Sequence, residues 1–324
     1  MRELAALLRQ QTYAGYPDEY LLARIRGRRV TLPGARPGPG AGGEAPEGML
    51  PPLFPAAGMA TAATARAELR AELGWVHRQM NEGMRLTFAP LFFWIELGAI
   101  ILACRFRRSG QRERSARLLA ASLLGQRIRQ LLVKEGEPAA LLDELGRLLG
   151  AVCGPCRELG SVYRQRGGRA WEERLVRLFL ERMAEAPLHP VLTEFFRALI
   201  DLRNLLVLAK QLRWQLHDTE AFARGGGISP KRLLRALAEG TPTLPAALLG
   251  ALPGMAPLAA VPANPEPLLL NWLTRRVRRL AREPGGTGLI LDYLWRRLMA
   301  TRNLGLVFHG ADLERPVLHA ELIG

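Results

Sequence analysis

The sequence predicts an all-α fold of three tandem helical subdomains, on three observations. One helical segment occurs three times, as WIELGAIILACR (Trp94–Arg105), LIDLRNLLVLAK (Leu199–Lys210) and LMATRNLGLVFH (Leu298–His309). The copies lie roughly 100 residues apart, too long a period for the usual solenoid repeats. No segment shows the sustained period-two alternation of a half-buried strand. Each copy closes a longer amphipathic run, which divides the chain into repeats at 1–110, 111–214 and 215–324. Such a plan reads as a scaffold with related surfaces rather than an enzyme with one cleft.

The elements follow in order. Residues 1–30 open with a short amphipathic turn, then YPDEYLLARIRGRR, where Tyr20, Leu21 and Ile25 mix with Arg24, Arg26, Arg28 and Arg29. Between 31 and 59 the composition collapses into Pro, Gly and Ala, which reads as a mobile loop. A helix is expected from about Thr61 to Arg85, where pairs such as Arg66 with Arg70 and Glu72 with Arg78 mark a solvated face. Leu86–Cys104 is the most apolar run, with Glu96 its single charge. Its length and flanks fit a transmembrane helix, but the equivalent segments carry Asp201, Arg203, Asn204, Arg302 and Asn303, so a core helix is the better reading.

Residues 111–184 are read as two or three helices, with Arg114–Leu132 and Ala140–Val152 as the clear runs. Pro190 suits a helix first turn, and Leu192, Phe195, Phe196, Leu199 and Leu202 then trace an apolar stripe at helical period. Gly225-Gly226-Gly227 is a break, with Ser229 a cap for the next helix. Prolines between Pro242 and Pro267 exclude a membrane helix there. The last helices are expected at Leu268–Arg282 and Leu289–Phe308, stopped near Gly310.

Charge and chemistry narrow the function. The 324 residues carry 45 Lys+Arg against 30 Asp+Glu, a net charge of +15, so the surface attracts acidic partners or anionic headgroups. Only Lys134, Lys210 and Lys231 are lysines, so arginine is the default cation of the chain. Three cysteines are too few for a disulfide framework and favour a reducing compartment. The N-terminal apolar stretch is too short for a secretory signal, so the cytoplasmic side is expected.

Cys153-Gly154-Pro155-Cys156 matches a thioredoxin-like dithiol, but that chemistry needs a preceding strand. Between helices it reads as a turn with two small buried residues. The five histidines are scattered, no second Cys pair completes a metal set, and the Gly clusters lack the following Lys-Ser/Thr of a phosphate loop. Neither metal nor other cofactor is expected, and no catalytic group. Thr274–Arg282 (TRRVRRLAR) is the best nucleic-acid or lipid candidate, though only Trp272 is near enough to stack a base. A solvated face is the plainer reading.

In the repeat, Arg203-Asn204-Leu205 and Arg302-Asn303-Leu304 occupy one slot, with Gly98-Ala99-Ile100 in the first copy. A buried Asn in a helix needs partners for its amide, so Asn204 and Asn303 are expected to tie helices together. Arg203 and Arg302 would then be left to reach a carboxylate.

This pattern resembles the C subunit (d-type) family of V-type and archaeal A-type rotary ATPases. In that family three helical subdomains each carry acidic-x-x-Asn-Leu-x-x-aliphatic. The closing LILDYLWRRLMATRNLGLVFHG and the second IDLRNLLVLAK are similar to family segments, and YLLARIRGR is similar to its opening helix. The first copy keeps Glu96 but has Gly98-Ala99 in place of Asn, and the third has Ala300 where the acid is expected. The resemblance implies a pseudo-threefold funnel on the cytoplasmic face of the membrane. It would sit as one peripheral copy per complex between the proteolipid ring and the central shaft subunits. It implies torque transmission during proton or sodium transport, with no nucleotide, nucleic acid or chemistry of its own. By position, Glu96, Asp201, Arg203, Asn204, Arg302 and Asn303 would be structural tie points, and Arg24 and Arg26 partner-binding or structural residues of the opening helix. A helical adaptor binding acidic protein or RNA through its Arg-rich helices is the alternative, and a protein anchored by Leu86–Cys104 a third.

Overall fold

Helix capping divides the chain more finely than apolar periodicity does. The structure, a computed structural model, describes residues 1–30, 62–256, 261–310 and 314–324. The Pro/Gly-rich stretch at 31–59 therefore lies outside the described residues. All the described elements are helices: α1 (Arg2–Ala6), α2 (Asp18–Val30), α3 (Ala62–Gln79), α4 (Glu82–Arg108), α5 (Arg112–Ala120), α6 (Gln126–Val133) and α7 (Pro138–Leu149). After a 3-10 turn at Gly154–Glu158 come α8 (Leu159–Glu185) and α9 (Pro190–Arg213), then a second 3-10 turn at Thr219–Ala221. The chain continues through α10 (Pro230–Glu239), α11 (Ala246–Gly250), α12 (Glu266–Leu280), α13 (Thr287–His309) and α14 (Arg315–Glu321). The expected all-α class is observed. The one strand-like feature among these residues is an isolated antiparallel bridge between Leu8 and Leu124.

Three expectations need correction. The helix expected to run to Arg85 ends at Gln79, because Asn81 caps a new helix, its Oδ1 accepting from the Met84 amide at 2.9 Å. Leu86–Cys104 is therefore the middle of α4, not an element of its own. The run Arg114–Leu132 breaks at 121–125. There the main chain turns to pair with residues 7–9, and Gly125 lies so close to the Leu7 carbonyl that a Cβ would sit 3.0 Å from its oxygen. Finally, Glu72 does not lie on a solvated face. It is buried, and Arg28 is its partner at 2.6 Å.

Two units are distinct. The first comprises Met1–Ala14 and Asn81–Leu269, the second Gly15–Met80 and Leu270–Gly324. In the first, long helices meet through aromatic rings. Phe93 of α4 packs on Phe179 of α8 at 5.6 Å, and Phe179 packs edge-on to Phe196 of α9 at 6.3 Å. Trp94 meets Phe195 edge-on at 5.8 Å. Pro190 starts α9 at its first turn, as expected, where its missing N–H costs nothing, and His189 caps the helix by accepting from the Val191 amide. Helix α8 is kinked at Gly167, whose φ of +79 is one that glycine adopts freely.

In the second unit α13 packs against α2 and α3. Trp295 donates to the Thr274 hydroxyl at 2.9 Å, fixing α13 to the α12 residues of this unit. Gly288 permits that approach, since a Cβ there would meet the Leu280 carbonyl oxygen at 1.8 Å.

Candidate functional site

The repeated segments carry a set of polar clasps. On α9, Asp201 and Asn204 lie three residues apart and so share a face. Both are buried, at 3% and 0% exposure. The Asn204 side chain closes a ring with one residue of the returning chain: Nδ2 donates to the Ala223 carbonyl at 2.8 Å, and Oδ1 accepts from the Ala223 amide at 2.8 Å. Asp201 then receives two consecutive amides, Gly227 on Oδ2 at 2.9 Å and Ile228 on Oδ1 at 2.8 Å. Arg203 donates to the Ala221 carbonyl at 2.8 Å. Two turns further along α9, Gln211 repeats the ring on Asp218, donating at 3.0 Å and accepting at 2.9 Å. Residues 218–228 are thus zipped along α9.

The glycine triplet belongs to this clasp. Gly225 takes φ +96, and a Cβ on Gly226 would stand 2.4 Å from the Asp201 carboxylate. Only glycine lets the backbone come so near. What reads in sequence as a plain break is the grip of Asp201 on its loop.

The third copy repeats the grip on α13. Asn303 Nδ2 donates to the Ile323 carbonyl at 2.8 Å, and its Oδ1 accepts from the Ile323 amide at 3.0 Å. Arg302 donates to the Glu321 carbonyl at 3.0 Å. The offsets match: Asn204 reaches 19 residues ahead and Asn303 reaches 20, while Arg203 reaches 18 and Arg302 reaches 19. Arg203, expected to reach a carboxylate, serves a main-chain oxygen instead, and burial lowers its pKa.

The first copy keeps the acid and replaces the rest. Glu96 of α4 accepts from the Leu123 amide at 2.8 Å, an offset of 27 residues, the same as from Asp201 to Ile228. Ala99 stands in the Asn slot. Here the return segment is held from the N-terminus as well: the Arg9 amide donates to the Leu123 carbonyl at 2.7 Å and the Gly125 amide to the Leu7 carbonyl at 2.7 Å. The Arg9 guanidinium reaches the Ala120 and Ser122 carbonyls at 3.0 and 3.2 Å.

Glu96, Asp201, Arg203 and Asn204 thus lie in the first unit, and Arg302 and Asn303 in the second with Arg24 and Arg26. Arg24 donates to the Tyr20 hydroxyl at 2.7 Å and lies over the Trp75 ring at 5.5 Å. Arg26 is exposed. The sequence reading missed the neighbours that anchor this helix. Arg28 and Tyr293 both bind Glu72, and Arg29 and Arg296 converge on the fully buried Asp292 at 2.7 and 2.9 Å. The signal was present as a lone acid inside the apolar LILDYLW.

Other chemistry is limited. Cys153 and Cys156 are buried beside the 3-10 turn between α7 and α8. A bond from the Cys156 thiol lowers Cys153 to about 7, while that bond and burial push Cys156 upward. Among the described residues no group of His, Cys, Asp or Glu is placed to hold a metal. Helix α4 is the one described helix long and apolar enough to cross a membrane, and 61% of its most apolar window is buried within the protein. On α12, Arg275, Arg278 and Arg279 are exposed and form a basic face. No family model and no curated protein matches the chain.

Proposed function

We propose that this chain is the non-catalytic rotor socket of a V/A-type rotary ATPase. In this reading a single copy sits peripherally on the cytoplasmic face of the membrane, joins the proteolipid ring to the central shaft subunits, and passes torque during ion transport. The three repeats would form the pseudo-threefold wall of a funnel, with α4, α9 and α13 as equivalent staves.

The observation that carries the proposal is the clasp shared by α9 and α13. Asparagine rings with one residue of returning chain, at offsets of 19 and 20, are an unlikely product of chance in two unrelated helices. The clasp also suits the task. Each buried hydrogen bond contributes about 1 kcal/mol, and leaving such a group unpaired costs about 1–3 kcal/mol. A return segment gripped at several points does not slide along its helix under load. The burial of most of α4's apolar window supports a peripheral rather than a spanning association.

The test is purification of the tagged chain from native membranes in mild detergent, with carbonate extraction alongside. The proposal expects ATPase subunits to co-purify at one copy of this chain per complex, and carbonate to release it. A second reading, an adaptor for acidic protein or RNA, is favoured by the exposed arginine face of α12. RNA co-purifying with the chain, with an affinity falling steeply as salt rises, would favour that reading over the first.

A further inference from the structure

We infer that the first unit contains a binding site for a phosphate-bearing anion, in the cavity between α8, α9 and the 218–221 segment. The site is independent of the rotor proposal. The cavity has a volume of about 220 Å³ and is lined by Arg166, Arg174 and Arg177 of α8 and by Arg203 of α9. Three carboxylates share the lining, but each is already engaged. Glu173 pairs with Arg169 at 3.0 Å and with Lys210 at 3.9 Å. Asp218 and Glu220 both pair with Arg166, at 3.9 and 3.3 Å.

The remaining cations are left in surplus. Arg174 and Arg177 are half-buried and make no hydrogen bond or ion pair among the described residues. Their spacing of three residues puts them side by side on one helical face, where like charges repel. Arg203 gives one donor to the Ala221 carbonyl. Its guanidinium is desolvated enough to lower its pKa, with Glu173 and Glu181 as the opposing charges. Three guanidinium groups lining one half-open cavity suit a tetrahedral, multiply charged oxyanion. The Arg174 and Arg177 forks can each donate two parallel N–H bonds to its oxygens, and Arg203 keeps donors beyond the Nη1 that binds Ala221. A monovalent ion such as chloride offers no such geometry. The phosphate group can belong to a soluble metabolite or to an exposed lipid headgroup, and both present the same chemistry.

The experiment titrates the full-length chain with inorganic phosphate and with pyrophosphate at constant ionic strength, by calorimetry and by thermal shift. In parallel, neutral lipid vesicles with and without phosphatidic acid are tested for binding. The comparison is with the double variant Arg174→Gln/Arg177→Gln. A charge-matched control, Arg232→Gln/Arg235→Gln, removes two exposed arginines of α10 outside the cavity. Circular dichroism establishes that both variants are folded; should the double variant fail to fold, Arg177→Gln alone takes its place.

We expect saturable binding that weakens at least about tenfold in the cavity variant and is retained in the control. A response to phosphatidic acid vesicles alone, lost in the cavity variant, identifies the headgroup as the source and supports the site. Absence of binding to either ligand, or equal weakening in cavity variant and control, overturns it.

Discussion

Tyr293 donates its phenolic hydrogen to Glu72, 221 residues away in the chain, and both are buried. The contact joins α13 to α3, while Arg28 of α2 binds the same carboxylate at 2.6 Å. One acid therefore gathers three helices of the second unit, including the opening helix. Burial, then the bond to Glu72, raises the Tyr293 pKa from 10.0 to about 12.

A pH dependence follows from that shift. The folded state holds the phenolic proton more tightly than the unfolded chain, so the contribution is complete below pH 10 and is lost as pH rises from 10.0 towards 12. Tyr293→Phe removes the bond but leaves Arg28, at 2.6 Å, and Arg297, at 3.6 Å, on Glu72. It should cost about 1 kcal/mol at neutral pH and flatten the alkaline loss, as measured by urea unfolding at a series of pH values.

Asn204→Leu should be more damaging. It leaves the Ala223 amide and carbonyl without their partner in a buried place, for a loss of about 2–4 kcal/mol. Asn303→Leu breaks the equivalent ring, but Asn303 is 8% exposed against 0% for Asn204. Water can compensate more readily there, so its loss should be smaller. Amide hydrogen exchange reads the two rings separately: protection at Ala223 falls in the first variant and at Ile323 in the second.

Gly226→Ala places a methyl 2.4 Å from the Asp201 carboxylate. The overpacking should cost about 1–3 kcal/mol. In an Asp201→Ala background the same change should cost markedly less, because the crowding atom is gone. Thermal unfolding of the four chains of this double-mutant cycle measures the coupling.

Cys153, lowered to about 7, would be a reactive thiol in the open. Its burial at 7% exposure makes access the limiting step. Alkylation at pH 8 should be slow for Cys153 and Cys156 in the native chain and fast once urea unfolds it, with mass spectrometry recording the sites. Rapid native labelling of Cys153 would show that the 3-10 turn opens easily.

The helical class was legible because it rests on local pattern: apolar period, Pro190 at a helix start, Gly310 at a helix end. That Asn204 and Asn303 need partners was legible, because a polar amide inside an apolar stripe must be bonded. The expectation that they tie helix to helix was not met, since each holds a non-helical return segment. What they grip was not legible. The ring partners Ala223 and Ile323 use only main-chain atoms, which leave no mark on residue type. Arg9 holds the first copy's return segment from more than one hundred residues away, and no spacing rule announces it. Glu72 was misread because the charged residues around it in sequence, Glu68, Arg70 and Arg78, look solvated until α2 and α13 cover it. The division at Asn81 turned on one capping side chain that apolar periodicity passes over.

The most direct test of the rotor proposal is an electron cryo-microscopy image of the particle recovered with the tagged chain from native membranes. The account predicts one copy seated on the cytoplasmic end of a proteolipid ring, with the helices bearing Glu96, Asn204 and Asn303 disposed about the axis that receives the shaft. A particle without a ring, or a ring on which these three helices lie in unrelated positions, would contradict it.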